Sequence, residues 1–186
     1  MVLEKKRLSV EEFDKFVNLP ENADKLFEFI GGEIFEVPSN PYSSRVASRI
    51  NRYLDSFVEE NDLGNVTGEQ GGYMVSGERY APDVAFISWE SQSELPARGY
   101  NPNPPDLAVE VVSPSDDTDP PLSIKIGNYL AAGTIVWVVY PDKKEVTVYV
   151  PGEPVKVLKE DDMLDGGVVL PGFQIVVKDF FPKRSK

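Results

Sequence analysis

Two acids stand where acids are costly. Asp83 opens the apolar run DVAFI (83–87), and Glu110 sits in the middle of LAVEVV (107–112). An unpaired carboxylate in low dielectric is either compensated or protonated, so both side chains require partners. Period-two alternation puts Asp106, Ala108, Glu110 and Val112 on one face of their strand. If the strands 82–88 and 106–112 are neighbours, Asp83 and Glu110 converge at one end of the sheet. Two converging carboxylates suit a hard divalent cation such as magnesium, with manganese as its substitute, which fills its remaining positions with water and substrate phosphate oxygens. Each acid taken alone also has a purely structural explanation. Asp83, following Pro82, can cap a turn, and Glu110 can pair with Lys125 or an arginine in a buried ion pair.

Lys125 lies between Leu122 and Tyr129 at the edge of an apolar helical stripe, with a stem long enough to reach inward; the alternative is an exposed surface lysine. Tyr129 reads as a core residue whose hydroxyl can orient Lys125. Glu69 and Gln70, just before Gly71-Gly72, can approach the same site from an adjacent strand. Ser113, Ser115, Asp116 and Asp117 read as turn caps.

The composition narrows the chemistry. The 186 residues contain no Cys and no His. This excludes thiolate and imidazole metal sites, cysteine nucleophiles and a Ser-His-Asp triad. The formal net charge of −12 argues against a nonspecific grip on nucleic acid, because phosphate binding depends on Lys and Arg. Lys5, Lys6, Arg7, Lys183, Arg184 and Lys186 put 6 of the 19 basic residues at the two ends, so a basic surface can form locally. No secretory signal and no membrane-length apolar stretch is visible, and a cytoplasmic chain without membrane association is expected.

The elements that must position these residues fit one α/β domain over 1–186. SVEE (9–12) is a capping box opening a helix through Val17. Gly31-Gly32 joins strands 25–30 and 33–37 as a two-residue hairpin. Ser39 or Asn40 caps a long helix carrying Val46, Ile50, Leu54, Phe57 and Val58, which ends near Asp62 with Gly64 at its C′ position. Strands follow at 65–67, 71–76, 82–88 and 106–112, the last two apolar enough to be interior. A loop rich in Pro, Ser and Asn lies between those two. A helix over 120–132 closes at Gly133, strands 134–140 and 145–150 flank the PDKK turn, and short strands near 154–159 and 173–178 finish the sheet.

Pro82-Asp83 followed by Glu110 in a hydrophobic strand resembles the active-site half of the PD-(D/E)XK, or restriction-endonuclease-like, superfamily. The ordered set FEFIGGEIFEV, PDVAFI, DLAVEVVSPSD, KIGNYLAAG, WVVYP and LPGFQIVVKDFF, all between residues 26 and 181, is similar to its Uma-type endonuclease family. The resemblance implies a mixed β-sheet core flanked by helices, with extra antiparallel hairpins. It also implies a catalytic set of Asp83, Glu110 and Lys125, the two acids holding the metal. The superfamily lysine two residues after the second acid would fall at Val112; in the Uma-type family the following helix supplies it, at the position of Lys125. Glu33 matches the family's Gly-Glu and is a further candidate acid, or else a solvated strand residue. Tyr42-Ser43-Ser44-Arg45 and Tyr140-Pro141 depart from the family's usual histidine and Asp-Pro.

The expected activity is metal-dependent hydrolysis of phosphodiester bonds, in DNA rather than RNA, with no other cofactor. A homodimer is expected because cutting two strands commonly uses two sites. Two rivals remain at this point. One is an inactive module that keeps the fold and binds a partner, which the net charge favours. The other is a hydrolase of small phosphoesters.

Overall fold

The computed structural model describes residues 7–22, 25–36, 40–113 and 120–182. Helix α1 (Val10–Val17) starts at the Ser9–Glu12 capping box, with both reciprocal hydrogen bonds formed. The strands β1 (Phe27–Ile30) and β2 (Glu33–Glu36) pair in register Ile30↔Glu33 across Gly31 and Gly32. Both glycines take the positive φ, 60° and 85°, that this two-residue turn demands. Helix α2 (Pro41–Glu60) is capped by Asn40, whose Oδ1 accepts from the Tyr42 and Ser43 amides; Ser39 lies outside the described residues.

After α2 the chain forms β3 (Gly64–Gly68), β4 (Tyr73–Val75), β5 (Glu78–Tyr80), β6 (Val84–Ser88) and β7 (Leu107–Val111). Then come α3 (Pro120–Ala131), β8 (Ile135–Tyr140), β9 (Glu145–Tyr149), β10 (Lys156–Leu158), β11 (Met163–Asp165) and β12 (Gln174–Val176). A short 3-10 turn follows at Val177–Phe180.

The main sheet has six strands in the order β10-β9-β8-β7-β6-β3, all antiparallel except β7 with β8. That parallel pair is joined through α3, the crossover such a pair requires. One face packs on α2 through Val46, Ile50, Leu54 and Val58, together with Phe173 and Phe180 from the C-terminal segment. The other face carries Ala85, Ala108, Val136 and Val138, which meet Tyr129 of α3 and Ile30, Tyr73, Val75 and Tyr80 of a second, four-stranded sheet. That second sheet runs β2-β1-β5-β4. The residues of β7 with even numbers therefore point into the seam between α3 and the smaller sheet.

The structure corrects several sequence expectations. The final strand does not extend the main sheet; β12 pairs with β11 in a separate two-stranded ribbon. Strand β5 was not expected, because GERY reads as a charged loop. It is instead held by long-range partners: Arg79 donates to Asp14 of α1 at 3.0 Å. Gly64 does not close α2 but starts β3, while Asp62 takes the left-handed backbone conformation at φ 51°. A Cβ at Gly64 would lie 2.2 Å from the Ile87 carbonyl oxygen, so close approach to β6 is what requires glycine there. Ser115, Asp116 and Asp117 lie outside the described residues. Among the described residues no helix is long and apolar enough to cross a membrane.

Candidate active site

Strands β6 and β7 pair antiparallel with Val84 opposite Val109. One further step along the same register brings Asp83 opposite Glu110, at the end of β6. The Asp83 Oδ2 accepts the backbone N–H of Val111 at 2.6 Å, which fixes its carboxylate against β7. Glu110, an even-numbered residue, points into the α3 seam, where Lys125 meets it. The Lys125 Nζ lies 2.8 Å from Glu110 Oε1 and 2.9 Å from Oε2. The ammonium also donates to Glu28 Oε1 at 2.7 Å, and that oxygen takes the Ala81 N–H at 2.8 Å as well. Tyr129, one helical turn beyond Lys125, donates its hydroxyl to Glu110 Oε1 at 3.1 Å. Tyr129 thus orients the carboxylate rather than the lysine, against the sequence expectation. Glu28, Glu110 and Lys125 are 7%, 8% and 6% exposed.

One ammonium faces three acids here, and the imbalance is visible in their proton affinities. Burial pushes the Glu110 carboxyl up to about 7; Lys125 pulls it down, while Glu28 and Asp83 push it further up. Burial likewise raises Asp83 to about 6, opposed by the Val111 N–H and Lys125 and reinforced by Glu69 and Glu28. Burial disfavours the Lys125 charge, but the Glu110 and Glu28 carboxylates outweigh it and hold the amine well above its ordinary value. Burial first, then the Glu110 and Glu28 charges, keep the Tyr129 phenol protonated. Lys125 is accordingly a fixed cation, and the excess negative charge is left to a proton or an added cation.

Asp83 also lines a cavity of about 580 Å³ between α2 and the β3–β4 connection. Glu69 and Gln70 share that lining with Ser44, Ser48, Asn51 and Thr67, whereas Glu33 does not. Glu33 opens β2 at the far side of the hairpin. The structure thus gathers Lys125, Glu110 and Tyr129 into one buried cluster, and Asp83, Glu69 and Gln70 around one cavity, with Asp83 the residue common to both.

The sequence matches the Uma2 family, described as "putative restriction endonuclease", over residues 11–178. The chain belongs to that family. Its fold is also that of a solved structure, a "putative nuclease belonging to DUF820" from Anabaena variabilis. The two share 23% sequence identity with a TM-score of 0.76, over 90% of this chain and 96% of that one. No curated protein matches the chain. Family and fold together make the protein nuclease-like.

Nucleases of this superfamily usually work with a divalent metal, and the donor chemistry of this Uma2 chain can be tested against one. Among the described residues no group of three or more acids is arranged as a ready ion cage. A magnesium ion does not need one, since it commonly takes one or two carboxylates and completes its octahedron with water and phosphate. Asp83 and Glu110 are hard oxygen donors opposite one another, in a cluster with excess negative charge. The residues present therefore fit a magnesium ion in charge and in ligand type.

Glu28 is the residue that sequence reasoning missed. It is an acid within the apolar run FEFI, the same signal that singled out Glu110. A second polar group joins the cluster's edge. Glu78 accepts from the Tyr80 hydroxyl, from the Gly31 amide at 2.6 Å and from Asn128 Nδ2 at 3.0 Å. The Tyr80 ring lies under the Lys125 amine, 5.7 Å from its centroid.

Proposed function

We propose that the protein is a magnesium-dependent endonuclease that hydrolyses phosphodiester bonds of DNA, with Asp83, Glu110 and Lys125 as its catalytic set. The observation that carries this reading is the contact of the Lys125 ammonium with both oxygens of Glu110, from a helix, at the strand end where Asp83 borders an open cavity. Asp83 and Glu110 would hold the ion. When bound, the magnesium polarises the scissile phosphate and lowers the pKa of a water, which is why a chain without histidine can generate a nucleophile. Lys125 supplies a fixed positive charge for the negative charge that develops on the phosphate oxygens. Glu28 and the Ala81 amide hold that ammonium from the opposite side, and Tyr129 fixes the Glu110 carboxylate. Glu69 and Gln70 flank the substrate in the Asp83 cavity.

The whole of residues 1–186 acts as one domain in this reading, in the cytoplasm, and two copies pair to cut both strands. Plasmid nicking tests the core of it. Nicking is expected with magnesium or manganese, none with chelator, and none for Asp83→Asn or Lys125→Met. Wild-type protein that leaves plasmid intact with either metal overturns the reading.

A second reading, an inactive module that binds a partner, is favoured by one feature. Glu110 is already satisfied by Lys125 and Tyr129 without any metal. It predicts no thermal shift with magnesium at constant ionic strength.

A further inference from the structure

A second, smaller cavity adjoins the first. Its volume is about 250 Å³, and it shares Thr67, Gln70 and Gly71 with the cavity that Asp83 lines. Its outer wall is the Pro-rich connection between β6 and β7, through Leu95, Pro96 and Arg98. Leu95 is exposed although apolar. The remaining wall includes Asn101, which is 3% exposed while neither its Oδ1 nor its Nδ2 has a hydrogen-bond partner. A buried amide without partners costs about 1–3 kcal/mol per group, and such groups in native structures call for a specific explanation.

The walls are fixed in place. Asn101 pairs through its backbone, donating to Gly72 O and accepting from Met74 N, both at 2.8 Å. The adjacent Tyr100 hydroxyl donates to Phe27 O at 2.8 Å. A Cβ at Gly72 would come within 2.5 Å of the Tyr100 ring, and one at Gly71 within 2.7 Å of the Thr67 hydroxyl. Glycine is therefore what lets the connection close onto the β3–β4 segment at this point.

We propose that this cavity is a nucleobase subsite that receives the base flanking the scissile phosphate, and that Asn101 reads adenine there. The proposal rests on the nuclease reading for the position of the phosphate. The chemistry follows from the walls. A carboxamide offers one donor and one acceptor side by side, and adenine N7 and N6 are the base-edge pair that it matches bidentately. Leu95 and Pro96 offer apolar surface to a base face. Arg98 supplies a cation for the adjoining phosphate in a chain whose net charge repels nucleic acid. The volume is below the roughly 300–1,000 Å³ of sites for drug-sized ligands, so it takes one planar base and not a duplex. A base reaches it only when unstacked, as enzymes that read single bases require.

The test uses the whole chain labelled with 15N and titrated separately with AMP, GMP, CMP and TMP. AMP is expected to shift the amide signals of Gly72, Gly99 and Asn101 and to bind at least about tenfold more tightly than the other three. Asn101→Leu should lose that preference with the rest of the spectrum unchanged. Arg98→Ala, at an exposed position that leaves folding untouched, should weaken all four nucleotides alike. No shift with any nucleotide, or the same AMP preference in Asn101→Leu, overturns the subsite. A wild-type AMP preference alongside intact plasmid would keep the subsite and remove the nuclease reading, so the two fail separately.

Discussion

Lys125 Nζ lies 2.7 Å from Glu28 Oε1 although 97 positions separate the two residues, and the same amine touches both oxygens of Glu110. Helix α3, the four-stranded sheet and the six-stranded sheet thus meet at one ammonium. A buried charge shared in this way joins three parts of the fold and leaves every partner exposed to its loss.

Lys125→Met keeps the apolar stem but strands two carboxylates in the interior. Breaking a buried pair by removing one partner typically destabilises by about 3–5 kcal/mol. Acid should relieve part of this by protonating Glu110. Urea unfolding of Lys125→Met with chelator is therefore expected to show a large deficit at pH 8 and a smaller one near pH 5. An equal deficit at both would mean that packing of the stem, not charge, is what the lysine supplies.

Glu28→Gln should separate positioning from folding. The glutamine carbonyl can still accept the Ala81 amide, so the fold is expected to persist. The Lys125 ammonium then has one carboxylate instead of two and is less firmly placed. Small misplacements of catalytic groups can lower rates by up to about a hundredfold. The nicking rate is expected to fall while the melting temperature moves little. Unchanged nicking would make Glu28 purely structural.

Glu28 also shows where the sequence stopped being legible. Asp83 and Glu110 were visible because each interrupts a long apolar run, and Lys125 because a family resemblance moved the expected lysine onto the helix. FEFI is only four residues long and precedes GGE, so it reads as an ordinary hairpin strand with one solvated face. Nothing local says that β5 and α3 cover that face. The same ignorance hid β5 itself, since Glu78 and Arg79 look like loop residues until Asn128, Gly31 and Asp14 are seen to satisfy them. Local signals fared better: the Ser9 capping box and the Gly31-Gly32 turn depend on neighbours within a few residues.

Gly64→Ala tests packing away from the acids. The added methyl would lie 2.2 Å from the Ile87 carbonyl oxygen and 2.7 Å from the Ser88 Cα, both backbone atoms of β6. Overpacking of this kind typically destabilises by about 1–3 kcal/mol. The urea midpoint should fall without a change in the slope of the transition. A wild-type midpoint would show that β3 can move away from β6 at no penalty.

The last prediction couples pH, magnesium and stability. In the folded chain Glu110 is raised from its ordinary 4.5 to about 7, and Asp83 from 3.8 to about 6. Between the ordinary and the raised values the folded state binds more protons than the unfolded state. Stability therefore falls as pH rises through that window. At about 1.36 kcal/mol per unit, Glu110 alone accounts for a decline of order 3 kcal/mol between pH 4.5 and pH 7, after which the curve flattens. With chelator present, melting temperature is expected to be highest near pH 5 and to drop towards pH 8. Magnesium bound only to the folded form adds about RT ln(1 + [L]/Kd), roughly 2.7 kcal/mol at a hundredfold excess over Kd, and should do so at pH 8, where both acids are charged. Near pH 5 protons occupy the same carboxylates and the gain should largely vanish. Asp83→Asn should stabilise the metal-free protein at pH 8 and lose most of the magnesium gain there. Ionic strength must be held constant throughout, so that screening of the −12 net charge is not mistaken for binding. Equal magnesium shifts in wild type and Asp83→Asn would make Asp83 a structural acid that serves only the Val111 amide.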